Sequence, residues 1–226
     1  MKAMILAAGR GKRMRSLTDH TPKPLLKVAG RALIEHTINQ LVAAGFTEIV
    51  INHAYLGQQI VEYLGDGQRY GATLQYSPEG ELGLETAGGI INALPLLGEH
   101  VFLVVNADIA TDFPYTQLKD LTPDLGHLVL IENPAHHPHG DFGLDEVGRV
   151  CEYSSEQLTF SGIGLYHPDL FKGFAAGSRK LGPLLRSAIA SGRVTGQQFP
   201  GFWMDIGTPE RLQALEALQR LGINGN

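Results

Sequence analysis

The chain holds a single cysteine, Cys151, so it can form no intramolecular disulfide and no cysteine cage for a metal; a reducing cytoplasm is the expected setting. It also lacks any apolar run near the ~20 residues that span a bilayer, which makes a soluble protein the expectation. The apolar start MKAMILAAG passes directly into GRGKRMR with no small-residue cleavage site, and it reads as a buried strand rather than a leader peptide. No Lys/Arg tract occurs and the formal charge is −5, which argues against nucleic acid as the main partner, because phosphate-backbone binding needs a concentrated basic surface. Pro/Ser-rich linkers, low-complexity tracts and internal repeats are missing too. With 43% hydrophobic residues among 226, the chain can bury one large core, and a single domain over residues 1–226 is expected.

What is present is a βαβ rhythm. Apolar runs at 4–8 and 48–52 alternate with segments of helical period at 33–44 and 58–64, the pattern of a parallel sheet covered on both faces. Leu33, Ile34, Ile38, Leu41 and Val42 share one helical face, and Gly45 stands where a helix end favours positive φ. VFLVV (101–105) is apolar without alternation, as in a central strand buried on both sides. From about residue 123 the texture changes to strands with tight turns at 128–131, 142–153 and 158–166, the middle one a hairpin turning at 146–148. Helices at 184–190 and 209–221 follow, separated by a strand-like segment ending in FWMDIG. The expected architecture is one α/β domain with a β-rich insertion.

The strongest chemical signal is LAAGRGKRMRSLTDHTPKPLL (6–26), in which the first strand gives way to a loop holding Gly9, Gly11, Lys12, Arg13 and Arg15. Glycines let backbone N–H groups approach a phosphate, and the basic side chains neutralise it. A polyanion site is the physical reading, although Met14 breaks GxGxxG and no GxxxxGK[ST] loop occurs. Lys23 stands between Pro22 and Pro24, which hold the local backbone out of a helix. Asn106 and Asp108 follow the buried 101–105 run, at the edge of an open α/β sheet where ligands bind. Asp108 is a candidate Mg²⁺ ligand, since Mg²⁺ takes one or two carboxylates together with phosphate oxygens. Asp205 is the candidate second carboxylate; Thr208 can cap the helix that begins near Pro209, which leaves Asp205 free.

Taken in order, LAAGRGKRM (6–14), Lys23 within TPKPLL, TAGG (86–89), NAD (106–108), FGL (142–144), SGIGLY (161–166) and FWMDIGTPE (202–210) resemble the signature of the sugar-1-phosphate nucleotidylyltransferases. The resemblance runs over about residues 4–210. It implies the nucleotidyltransferase fold: α/β, with a doubly wound, mostly parallel Rossmann-like sheet, a β-rich sugar-binding insertion and no C-terminal β-helix. The nucleotide half would cover about 1–122 and the sugar half about 123–226. It further implies Mg²⁺-dependent transfer of a nucleotidyl group from UTP to a sugar 1-phosphate with release of pyrophosphate. The expected acceptor is N-acetylmuramate 1-phosphate, in cell-wall recycling. GTP or dTTP with mannose, heptose or glucose 1-phosphate is the alternative, and a non-catalytic sugar-nucleotide sensor a more distant one.

The site residues that the resemblance implies are these. Asp108 and Asp205 would hold Mg²⁺, Lys23 would act on the α-phosphate, and Arg13, with backbone near Gly11, would hold the pyrophosphate. The nucleotide would also meet Ala8, Gly9, Gly11 and Lys12, with Glu79 of SPEGE (77–81) at the base. Asn106, Gly143 and a carboxylate of the 152–156 stretch, Glu156 ahead of Glu152, would face the sugar. Two departures stand out: Lys12 replaces the usual Thr, and Glu85 stands where many members have Gly. HHPHGD (136–141) is expected to be an exposed loop on the sugar side rather than a zinc site, because Pro138 interrupts it. A dinucleotide-dependent oxidoreductase on the same scaffold is disfavoured by the broken GxGxxG and by Lys23 with its two acids.

Overall fold

The computed structural model describes residues 1–221; the last five residues of the expected domain lie outside them. The chain begins with β1 (Ala3–Leu6), a small hairpin of β2 (Lys27–Val28) and β3 (Arg31–Ala32), then α1 (Leu33–Ala43), β4 (Glu48–His53) and α2 (Gly57–Leu64). It continues with β5 (Thr73–Pro78), α3 (Glu85–Leu97), β6 (Phe102–Asn106), β7 (Ile109–Thr111), β8 (Gly126–Ile131), β9 (Gly143–Leu144) and β10 (Val150–Cys151). It ends with β11 (Thr159–Tyr166), α4 (Leu181–Ala190), β12 (Val194–Gln198), β13 (Trp203–Asp205) and α5 (Pro209–Arg220).

Seven strands form one sheet in the order β12-β8-β11-β6-β1-β4-β5. The pairs on either side of β1 are parallel, and β11 runs antiparallel between β6 and β8. Successive side chains of a strand face opposite sides of the sheet, and the core divides accordingly. Ala3, Ile5, Ile49 and Ile51 meet Ile34, Ile38 and Leu41 of α1 and Ile60 and Leu64 of α2. On the other face Met4, Val50 and Val104 meet Ile90, Ala93 and Leu97 of α3 and Leu184, Leu185 and Ile189 of α4. The expected apolar face of α1 is the one it buries, and Gly45 follows its end at φ 82°.

The β-rich half is no separate sheet. β8, β11 and β12 extend the central sheet beyond β6, and the detached pieces are the ribbon β9–β10 and the pair β7–β13. Local periodicity carries no information on which distant strand a segment will pair with, so this continuity was invisible in sequence.

The chain winds from β1 outward through β4 to β5 and returns to β6 on the far side of β1, which makes the β1/β6 boundary the switch point where open α/β sheets bind ligands. Register places the carboxyl edges level: Leu6 lies opposite Asn52 on one side and Asn106 on the other. A third apolar cluster lies beyond that edge. Met14 of the loop after β1 packs there with Leu26, Val28 and Leu33, and with Ile206 and Leu215 from the far end of the chain.

Candidate active site

A cavity of about 500 Å³ opens at this level edge. Its lining includes Ala8, Gly9, Gly11, Lys12, Arg13, Lys23, Glu79, Asn106 and Asp108. The loop after β1 is shaped by Gly11 at φ 68°, whose carbonyl accepts from Met14 N at 2.8 Å and from Thr18 Oγ1 at 3.1 Å. Met14 is fully buried, which anchors the loop and leaves Lys12 and Arg13 before it, and Arg15 after it, exposed. A second strap comes from the end of β4. The Arg10 guanidinium stacks on the Tyr55 ring at 3.3 Å from its centroid, and Tyr55 Oη donates to the Asp19 carbonyl at 2.7 Å.

Lys23 follows Pro22, whose backbone is extended, and opens a single turn that ends at Leu25. The backbone bond from Leu25 N to Pro22 O, 2.8 Å long, closes that turn. The lysine side chain is 9% exposed, and its ammonium donates to Asp108 Oδ2. Asp108 is held from behind: its carbonyl accepts from Ile206 N at 2.7 Å, which ties the segment after β6 to the segment after β13. Asp205 ends β13, opposite Ile109 of β7. Thr208 caps α5 by accepting from Arg211 N, as expected.

Asp205 does not line the cavity wall itself; the neighbouring Gly207 does. Its Oδ1 lies 2.9 Å from Arg211 Nη1 and 3.0 Å from His136 Nε2. Neither contact has hydrogen-bond alignment, so this buried oxygen keeps unused acceptor capacity. His136 is exposed, and it brings the HHPHGD loop to one of the two candidate metal carboxylates. Among the described residues no group of three or more His, Cys, Asp and Glu side chains clusters around one point as a metal cage would. Asp108 and Asp205 offer the sparser donor set that suits Mg²⁺ completed by phosphate oxygens.

Glu79 lines the cavity and is itself held by the protein. Oε1 accepts from Asn52 Nδ2 at 2.6 Å and Oε2 from Leu84 N at 2.7 Å, while Asn52 Oδ1 accepts from Ala7 N at 2.7 Å. Burial pushes the Glu79 carboxyl up from its ordinary value, against the opposing pull of those two bonds. Glu79 therefore fixes the loop 79–84 and, through Asn52, the end of β1, while its side chain remains on the cavity wall. Asn52 was missed in sequence; its one signal is a polar residue closing an apolar strand, as Asn106 closes β6.

Of the sugar-side candidates, Asn106 lines the cavity, whereas Gly143 and Glu156 do not. Gly143 lies in the detached ribbon, where an added Cβ would come within 2.3 Å of Ser154 Cβ and 2.6 Å of Cys151 Sγ. Glu156 is exposed, in the segment leading to β11. Glu152 is engaged by Arg186 at 3.0 Å. Gly162 of β11, at φ 80°, lets Asn106 lie against it; a Cβ there would come within 2.5 Å of Asn106 Nδ2. Leu84 O accepts from Arg179 N at 2.9 Å and Gly88 N donates to Arg179 O at 3.1 Å, so the 177–179 segment laces the second half of the chain to the start of α3.

A doubly wound sheet, with a basic glycine loop after its first strand and acids after β6 and β13, defines a protein of the nucleotide-handling α/β class. More particularly, the chain belongs to the nucleotidyl transferase family, whose model it matches over residues 2–220, and it is an enzyme that transfers a nucleotidyl group. It is 54% identical to the N-acetylmuramate alpha-1-phosphate uridylyltransferase of Neisseria meningitidis, over 96% of this chain and 98% of that one. It is 34% identical to the protein of the same description from Caulobacter vibrioides, over 95% of each. A mannose-1-phosphate guanyltransferase of Aspergillus fumigatus is 32% identical over 93% of this chain but only 62% of its own length. The fold is shared with a Bacillus anthracis chain described as a glucose-1-phosphate thymidylyltransferase, at TM-score 0.82 and 22% identity, over 97% of this chain and 95% of that one.

Proposed function

We propose that this chain transfers a uridylyl group from UTP to N-acetylmuramate 1-phosphate, with Mg²⁺, releasing pyrophosphate. The observation that carries the reading is the 54% identity, end to end, with the Neisseria uridylyltransferase. UTP as donor sets the reaction in the cytoplasm. Residues 1–122 would bind the nucleotide and residues 123–226 the sugar.

The nucleophile is a phosphate oxygen of the sugar 1-phosphate, already anionic near neutral pH, so no general base is needed. What remains for the protein is to position two polyanions and to neutralise the charge gathering at the α-phosphorus. Asp108 and Asp205 would hold Mg²⁺, which when bound would neutralise phosphate charge. Lys23 moves from Asp108 to the α-phosphate; its burial and its two prolines fix its approach. Arg13 and the backbone near Gly11 receive the departing pyrophosphate. The uracil is read by backbone at Ala8 and by the loop that Glu79 holds.

A pyrophosphate-release matrix tests this: UTP, dTTP, GTP and CTP crossed with the 1-phosphates of N-acetylmuramic acid, N-acetylglucosamine, glucose and mannose. The UTP and N-acetylmuramate pair should exceed every other combination. A higher kcat/KM for GTP with mannose 1-phosphate would replace this reading with that of the guanyltransferases.

A further inference from the structure

Gly207 lies at a meeting point of charge. A Cβ built there would come within 2.3 Å of Arg211 Nη2, 3.1 Å of Arg13 Nη2 and 2.9 Å of Asp205 Oδ2. Two guanidinium groups from distant parts of the sequence therefore converge beside one carboxylate, Arg13 and Gly207 on the wall of the cavity and Arg211 just behind Gly207. Asp205 is shared by Arg211 and His136, while Arg13 makes no ion pair among the described residues. Like charges this close repel unless an anion lies between them, and the planar fork of a guanidinium matches phosphate oxygens. Arg211 has a second mark of an unfilled site: its Nε is buried without a hydrogen-bond partner. Its position is well fixed, in the first turn of α5 behind the Thr208 cap, with the side chain 19% exposed.

We infer that Arg211 is a second phosphate-binding residue, which with Arg13 clamps the terminal phosphates of the nucleotide that become pyrophosphate. The inference rests on the reading of this cavity as a nucleotidyl-transfer site. In the absence of nucleotide Arg211 occupies Asp205; as the triphosphate arrives, it turns to the phosphates and leaves Asp205 for the divalent cation. Arg211 thus makes the binding of phosphate and of cation mutually reinforcing. Gly207 is needed because any side chain there would stand between the two guanidiniums.

The test is calorimetric titration of the full chain with inorganic pyrophosphate without metal, and separately with Mg²⁺ without nucleotide. Arg211→Met should weaken pyrophosphate roughly ten-fold or more, the size of a lost charged hydrogen bond, and should tighten Mg²⁺ by releasing Asp205. Gly207→Ala removes no charge and should also weaken pyrophosphate; Arg211→Lys should retain part of the affinity. A residue that merely steadied Asp205 would give the reverse, with pyrophosphate unchanged and Mg²⁺ weakened in Arg211→Met, and that result overturns the inference. A wild-type chain that releases pyrophosphate with no sugar 1-phosphate would instead overturn the functional reading itself.

Discussion

Lys23 and Asp108, 85 positions apart in sequence, are each other's counter-ion: the lysine ammonium donates to Asp108 Oδ2 where the segment after β1 meets the end of β6. The pair keeps both charges ready for use. On the proposed reading each would give up the other to serve a ligand, the lysine for a phosphate and the acid for a cation.

Lys23→Ala should therefore lower kcat more than it raises KM for UTP, because the charge matters most as the α-phosphorus is attacked. Steady-state kinetics with UTP varied at saturating acceptor reads the split. An effect confined to KM would make Lys23 a binding residue and no more.

Asp108→Asn should cut Mg²⁺-dependent turnover by roughly a hundred-fold or more while leaving the circular dichroism spectrum unchanged, since an amide is a poor ligand for a hard cation. Turnover within a few-fold of the parent across a Mg²⁺ titration would remove the acid from the metal site.

Glu85 opens α3 with φ 59°, in the left-handed region that costs a side-chain-bearing residue about 1–2 kcal/mol and glycine nothing. Glu85→Gly should raise stability by about 0.5–1 kcal/mol after the entropy lost by glycine is deducted, or roughly 1–4 °C in Tm. A lower Tm would mean that the carboxylate, at the cavity rim, contributes more to the fold than its strained backbone removes.

His127, on β8, is buried between Thr195 Oγ1 at 2.8 Å and Gln197 Oε1 at 3.2 Å, and burial holds its pKa below the ordinary value. The unfolded chain then binds the proton more readily than the folded one. Stability should be complete above about pH 6.5 and fall as the pH drops from there toward the lowered folded value. His53 is displaced in the same direction by burial and adds to the loss. Urea unfolding at pH 7.5 and pH 5.0 should show a smaller difference in His127→Leu than in the parent; equal differences would show that His127 does not titrate in this window.

The residues legible from sequence were those whose message is local. The apolar face of α1, Gly45 after its end, the Thr208 cap and the polar residues closing the 101–105 run all follow from chain geometry within a few positions. Carboxyl-edge logic was enough to pick out Asp108 and Asp205, because strand ends can be read from apolar runs. What the sequence could not reveal depended on contacts across long separations. Glu79 was legible as an acid near a ligand, but its use by Asn52 and Leu84 depends on β4 and β5 lying side by side. His136 reads as a residue of an exposed loop and Arg211 carries no signal of its own; only the fold brings both to Asp205. Gly143 lies in the β9–β10 ribbon, which is tied to β12 at the sheet edge by the bond from Gly196 N to Gly148 O, and no local pattern in the sequence announces that placement.

Met14, at the tip of the glycine loop, is buried against Leu215 of α5. The loop that follows the first strand is thus held down by the last described helix. Whatever loosens α5 would therefore also loosen the loop after β1, although the two lie some two hundred positions apart in the sequence.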